Sequence, residues 1–173
     1  MPLTIRPETP TDQTDIYHLN ALAFGQDSES RLIDLLRHSD AFVPELSLVA
    51  VLDGRIVGHI LFTKIKIVAG DNTEVESLAL APMAVHPEFQ KKGIGGQLIR
   101  RGLEVAESLG FKSVIVLGHE QYYPKFGFVP AARWNIKAPF DVPDTIFMAL
   151  ELVDGALDNA AGTVRYPEAF EIV

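Results

Sequence analysis

Three apolar, β-rich runs follow one another with only tight turns between them, and this succession limits the fold more than any other feature of the chain. Leu46 to Leu52 reads as a strand, and Asp53-Gly54 is a hairpin turn of the kind that needs two residues with positive φ. Arg55 to Val68 continues as a long strand, and Gly70-Asp71-Asn72 turns it into a third, Glu74 to Val85. An antiparallel meander placed before any crossover helix disfavours a doubly wound nucleotide-binding fold, which alternates strand and helix from the start. The expected class is α/β with a strongly twisted mixed sheet of six or seven strands and helices on both faces.

The elements around the meander are read from period and caps. Leu3 to Arg6 is a short strand, and Pro10-Thr11-Asp12 opens a helix that carries Ile16, Leu19 and Ala23. A second helix spans Glu29 to about His38. After the meander, Ile94, Leu98, Gly102, Val105 and Leu109 form a helical stripe that Gly110 ends as a C-cap. Ser113 to Leu117 is a buried strand, Tyr122 to Phe126 a short helix, and strands follow from Phe128 and over Thr145 to Leu152. The tail from Gly155 is irregular, but Val164, Tyr166, Phe170 and Ile172 give it apolar residues with which to pack.

Between the third strand and the long helix lies Gln90-Lys91-Lys92-Gly93-Ile94-Gly95, a Q-x-x-G-x-G. Backbone amides at such a turn can converge on one anion, and the positive end of the helix dipole reinforces them. Lys91 and Lys92 add charge, and Gly93 and Gly95 permit close approach of a ligand. The loop is shaped for a pyrophosphate. A dinucleotide fingerprint would need a third glycine where Leu98 stands, and no Gly-Lys-Ser or Gly-Lys-Thr of a P-loop is present.

The loop resembles the acetyl-CoA loop of the GNAT superfamily of N-acetyltransferases, Gln or Arg-x-x-Gly-x-Gly or Ala. Tyr123-Pro124-Lys125-Phe126-Gly127-Phe128 matches the Tyr-x-x-x-Gly-Phe of the same family, and the string LGHEQYYPKFGF is similar to its YhbS-like branch. The resemblance covers roughly residues 3 to 152. It implies one N-acetyltransferase domain over residues 1–173, with a core over 3–152 and a C-terminal extension over 153–173 packed on it. It also implies a direct acetyl transfer from acetyl-CoA to an amine, with no metal.

By that resemblance the pantetheine arm pairs with the backbone of Met83, Ala84 and Val85, beside a bulge to which Pro82 points. The pyrophosphate falls to Gln90, Lys91, Lys92, Gly93, Ile94, Gly95 and Gly96. Acetyl-CoA would lie in the opening between strands 74–85 and 113–117, and a backbone N–H near Val85 would hold the oxyanion. Tyr123, four residues before Gly127, is the expected general acid for the departing thiolate. His119 is the candidate to assist in deprotonating the amine, while Glu74 and Glu76 alternate onto one face of their strand. Many members carry an Asn seven residues before the tyrosine; Val116 stands there in this chain. The rival readings are a non-catalytic acetyl-CoA-binding or regulatory module, and an interaction domain.

Bulk properties narrow the partners. The chain of 173 residues has no cysteine, so disulfides, thiolate metal sites and cysteine nucleophiles are excluded together. A net charge of −8 disfavours nucleic acid and suits a cationic amine. Histidines 18, 38, 59 and 86 lack metal-ligand spacing. No apolar stretch approaches the roughly 18 residues of a membrane span. The opening MPLTIRPETPTDQTD has neither a basic region nor an apolar signal core, so a cytoplasmic location is expected. The acceptor, a small molecule or a peptide amine, is left open, as is a homodimer.

Overall fold

The computed structural model describes residues 2–172. Its strands are β1 (Thr4–Pro7), β2 (Phe42–Leu52), β3 (Arg55–Val68), β4 (Glu74–Val85), β5 (Ser113–Leu117), β6 (Val129–Pro130), β7 (Ile136–Lys137), β8 (Phe147–Glu151) and β9 (Gly162–Arg165). The helices are α1 (Gln13–Phe24), α2 (Ser28–Arg37), α3 (Ile94–Ser108) and the short α4 (Ala169–Ile172). Hydrogen bonding links the strands in the order β1-β2-β3-β4-β5-β8-β6, with β9 on β3 and β7 on β9. The sheet is mixed: β4 pairs with β5 in parallel, and β5 with β8 antiparallel. Two strands beyond the expected seven, β7 and β9, are too short for a period of two to register in the sequence.

The chain forms two compact units. One holds the residues up to Thr63, Ala81–Val105 and those from Pro167 on; the other holds Lys64–Leu80 and Ala106–Tyr166. In the first, α1 and α2 bury Ile16, Leu32, Ile33 and Leu36 against Val49 of β2 and Leu61 of β3, and Ala169 of the tail joins them. The neighbouring residues of the same strands point the other way, toward α3. A Cβ on Gly58 would meet Leu98 at 3.0 Å and Ile94 at 3.1 Å, so α3 sits close against β3. Helices thus cover both faces of this stretch of sheet.

The buried side of α3 is centred differently from the sequence stripe. Ile94, Leu98, Ile99 and Ala106 are buried, whereas Val105 is half-buried and Leu109 is 42% exposed. Gly102 explains the tilt, because the Phe62 ring occupies the place of its absent Cβ, 2.2 Å from that position. The helix ends as expected. Gly110 takes φ 91°, its amide donates to the Glu107 carbonyl (3.0 Å), and the Phe111 amide donates to that of Ala106 (3.1 Å), a Schellman arrangement.

In the second unit the core is built from Ile65, Ile67, Ala79, Ile115, Phe147, Ala149, Leu157 and Val164. Here β4 meets β5 at Leu78↔Val114 and Ala79↔Ile115, ahead of Pro82. The buried hydroxyls of Ser77 and Ser113 satisfy each other across this junction at 2.7 Å. The tail enters the sheet through β9, whose Lys66↔Arg165, Ile67↔Val164 and Val68↔Thr163 pairs extend β3.

Candidate functional site

The loop between β4 and α3 is built to leave amides unpaired. The first backbone bond of α3 runs from Gln97 N–H to the Gly93 carbonyl (3.1 Å). The three amides before it, on Ile94, Gly95 and Gly96, therefore have no carbonyl within the helix to meet. Just upstream, Lys91 and Gly93 both adopt left-handed φ, 63° and 81°. Alternation of hand turns successive N–H groups to one side and makes a concave anion site. Glycine is required at 93 by its φ and not by crowding, since nothing lies within 4 Å of a Cβ built there. Lys91 and Lys92 are exposed beside this cradle.

Side chains brace the loop from below. Gln90 Nε2 donates to the Val85 carbonyl at 3.2 Å, tying the loop to the end of β4. The His86 amide donates to the Val57 carbonyl (2.8 Å), and His86 Nδ1 accepts from the Glu88 amide (3.1 Å). Phe89 lies between two cations, 5.8 Å from the Arg55 guanidinium and 5.5 Å from Lys92 Nζ, with the His86 ring edge-on at 5.6 Å. Neither Phe89 nor Arg55 was legible as part of this loop. Arg55 is the first residue of β3, and only the pairing of the strands brings it there. Met83 and Val85 at the end of β4 are half-buried and Ala84 is buried.

Tyr123 and His119 lie in the other unit, on the segment from β5 to β6. Tyr123 opens a single 3₁₀ turn, Tyr123–Phe126, which Gly127 closes at φ 100° with its amide on the Pro124 carbonyl (3.0 Å). The His119 carbonyl accepts from the amides of Tyr122 (3.0 Å) and Tyr123 (3.2 Å), so the two candidate residues share one short turn. The Tyr123 ring packs edge-on against Phe128 and Tyr122, at 5.7 and 5.2 Å. Burial, and secondarily the neighbouring Tyr122, pushes its phenol up to about 12. It therefore stays protonated across the physiological range and has a proton to donate. His119 is exposed, with Nδ1 accepting from the Gln121 amide at 3.3 Å. Glu74 pairs with Arg165 at the surface (2.6 Å) and Glu76 is exposed. Among the described residues, no three His, Cys, Asp or Glu side chains are grouped to hold a metal ion. No helix of the described residues is long and apolar enough to cross a membrane.

A mixed sheet whose fourth strand runs into an amide-lined loop and a helix defines a class of acyl-group transferases. The chain belongs to the Acetyltransferase (GNAT) family, whose model matches residues 14–128. The N-acetyltransferase YjhQ of Escherichia coli (strain K12) is 41% identical over 135 residues, 78% of this chain and 74% of that protein. The N-acetyltransferase YhbS of the same strain is 31% identical over 169 residues, 97% of this chain and 98% of that protein. A crystal structure of Escherichia coli YhbS in complex with CoA superposes with a TM-score of 0.90 at 29% identity, covering 98% of this chain and 92% of that one. A GNAT acetyltransferase of Brucella melitensis in complex with acetyl-CoA gives a TM-score of 0.79 at 32% identity, covering 98% of each chain.

Proposed function

We propose that the chain, as one N-acetyltransferase domain over residues 1–173, takes the acetyl group from acetyl-CoA and passes it directly to an amine. The observation that carries this reading is the row of amides at Ile94, Gly95 and Gly96, preceded by the left-handed Lys91 and Gly93. A diphosphate fits such a cradle, and the similar proteins from Escherichia coli and Brucella melitensis were crystallised with CoA and acetyl-CoA. On this reading Gln90, Lys91, Lys92, Gly93, Ile94, Gly95 and Gly96 hold the pyrophosphate. The backbone of Met83, Ala84 and Val85 takes the pantetheine amides.

The chemistry then needs one acid and one route for a proton. The neutral amine nitrogen attacks the thioester carbonyl carbon, and a backbone N–H near Val85 steadies the oxyanion. As the carbon–sulfur bond breaks, Tyr123 Oη gives its proton to the sulfur of CoA. The proton shed by the amine returns to the phenolate through water, with His119 assisting at most. A phenol held near 12 keeps its proton at neutral pH and so has one to give to the departing thiolate. A cytoplasmic site of action is part of the same reading. The acidic balance of −8 favours a cationic amine, small or peptidic, as acceptor.

The test is thiol release from acetyl-CoA against a panel of polyamines, amino-acid amides and peptides. Tyr123→Phe is expected to lower kcat by about 10²-fold or more, leaving acetyl-CoA affinity nearly unchanged. Tyr122→Phe is the control and should be mild. Equal losses from the two changes would reject Tyr123 as the general acid, and binding of acetyl-CoA with no turnover on any amine would reject the reading in favour of a non-catalytic module.

A further inference from the structure

We infer that Gly118 is a positioning residue that sets where the Tyr123 phenol sits. The inference rests on the reading of Tyr123 as the proton donor. A Cβ added to Gly118 would lie 2.3 Å from Tyr123 Cε2, 2.8 Å from Cδ2 and 3.2 Å from Cζ. The ring therefore lies flush on the backbone of residue 118. Conformation does not demand glycine here, because Gly118 is absent from the residues with positive φ. Space alone demands it.

Both sides of this contact are held by neighbours. The Gly118 amide donates to the Ile146 carbonyl at 2.9 Å, one residue beyond the Leu117↔Phe147 pair that ends the β5–β8 ladder. The backbone at 118 is thus clamped to the sheet. On its other sides the Tyr123 ring meets Phe128, itself 1% exposed, and Tyr122, which packs in turn on Phe126 at 5.3 Å. At its own end the Tyr123 amide is fixed to the His119 carbonyl (3.2 Å). A methyl group at 118 must push the ring outward by about 1 Å to reach ordinary contact distance, and the hydroxyl lies farther along the same lever. Misplacing a reacting group by that much costs on the order of 10²-fold in rate.

Gly118→Ala in the full chain tests this by two readouts. Tyrosines labelled with ¹³C at Cζ report ring position by NMR, and the Tyr123 signal is assigned by its loss in Tyr123→Phe. We expect that signal to move in Gly118→Ala while those of Tyr17 and Tyr166 stay; an unmoved Tyr123 signal overturns the inference. With acetyl-CoA and the panel amine that turns over fastest, kcat should fall about 10- to 10²-fold with the KM for acetyl-CoA held within about twofold. In a Tyr123→Phe background the same change should cost almost nothing further, because there is no hydroxyl left to misplace. Losses that multiply would show that Gly118 acts independently and overturn the inference. A slow Tyr123→Phe beside a full-rate Gly118→Ala rejects the positioning role alone. A full-rate Tyr123→Phe rejects the proton donor itself. If Gly118→Ala does not fold, Phe128→Leu loosens the opposite wall without adding an atom; an unmoved Tyr123 signal and unchanged kcat there overturn the inference.

Discussion

Gly93 shapes the proposed anion cradle by its backbone alone. At φ 81° an L-residue costs about 1–2 kcal/mol, and a branched side chain more, yet a Cβ there meets no other atom. The strain would be relieved by rearranging the loop and not by disturbing the core. Gly93→Val is therefore expected to fold with a nearly unchanged melting temperature while losing acetyl-CoA binding by more than about tenfold in calorimetry. Normal binding by that variant would reject the cradle. The alternation of Lys91 and Gly93 also shows why the motif was legible as a glycine-bearing turn but its geometry was not. Glycine spacing announces permissiveness, whereas nothing in its residue type marks Lys91 for a left-handed φ of 63°.

The elements of the first unit are joined by a buried polar cluster that no motif announced. Glu8 after β1, Arg37 at the end of α2, Ser47 on β2 and His59 on β3 meet there. Arg37 Nε and Nη2 donate to the Glu8 carboxylate at 2.8 and 3.2 Å. Ser47 Oγ donates to Glu8, which can only accept, so Ser47 must accept from His59 Nε2–H at 2.9 Å. That donor chain assigns the neutral Nε2–H tautomer and leaves Nδ1 without a partner. Burial, and secondarily the Arg37 charge, holds His59 down to about 3. An unfolded histidine titrates near 6.5, so between about 6.5 and 3 only the unfolded chain takes up this proton. Stability is thus full above pH about 6.5 and falls by about 1 kcal/mol per pH unit as pH drops through that window. Asp12, held near 2 chiefly by its hydrogen bonds from Arg6, adds a loss of the same sign below about 3.8. Urea titrations from pH 8 to 4 check this, and His59→Leu should flatten the slope above pH about 4. A slope unchanged in His59→Leu would assign it to other groups.

For the whole molecule, acetyl-CoA must stabilise the native state by the free energy of binding it. At 100 times its dissociation constant the ligand adds about 2.7 kcal/mol, roughly 5–10 °C in melting temperature for a chain of this size. Thermal melts with and without acetyl-CoA measure it, and no shift at millimolar ligand would remove the basis of the proposed function.

What the sequence determined by itself were the features decided between near neighbours along the chain. Asp53-Gly54 turns because both residues accept positive φ, 51° and 75°. Gly110 stops α3 because its own amide and the next one close on carbonyls in the last turn. The turns of the Q-x-x-G-x-G loop and of Tyr123–Phe126 were legible for the same reason: each is contained in a few consecutive residues. Tertiary structure alone decided the rest. It rotated the buried face of α3 onto Ile99 and Ala106, because Gly102 lets Phe62 lie against the helix, and no helical period contains the identity of the residue opposite. It made strands of Ile136–Lys137 and Gly162–Arg165, which are strands only because β9 found the edge of β3 and β7 found β9. It placed His59 beside Ser47, twelve residues apart, and near Glu8. Each of these depends on which groups meet across the fold, and pairing over that range is fixed by packing and strand register, which a local pattern does not encode.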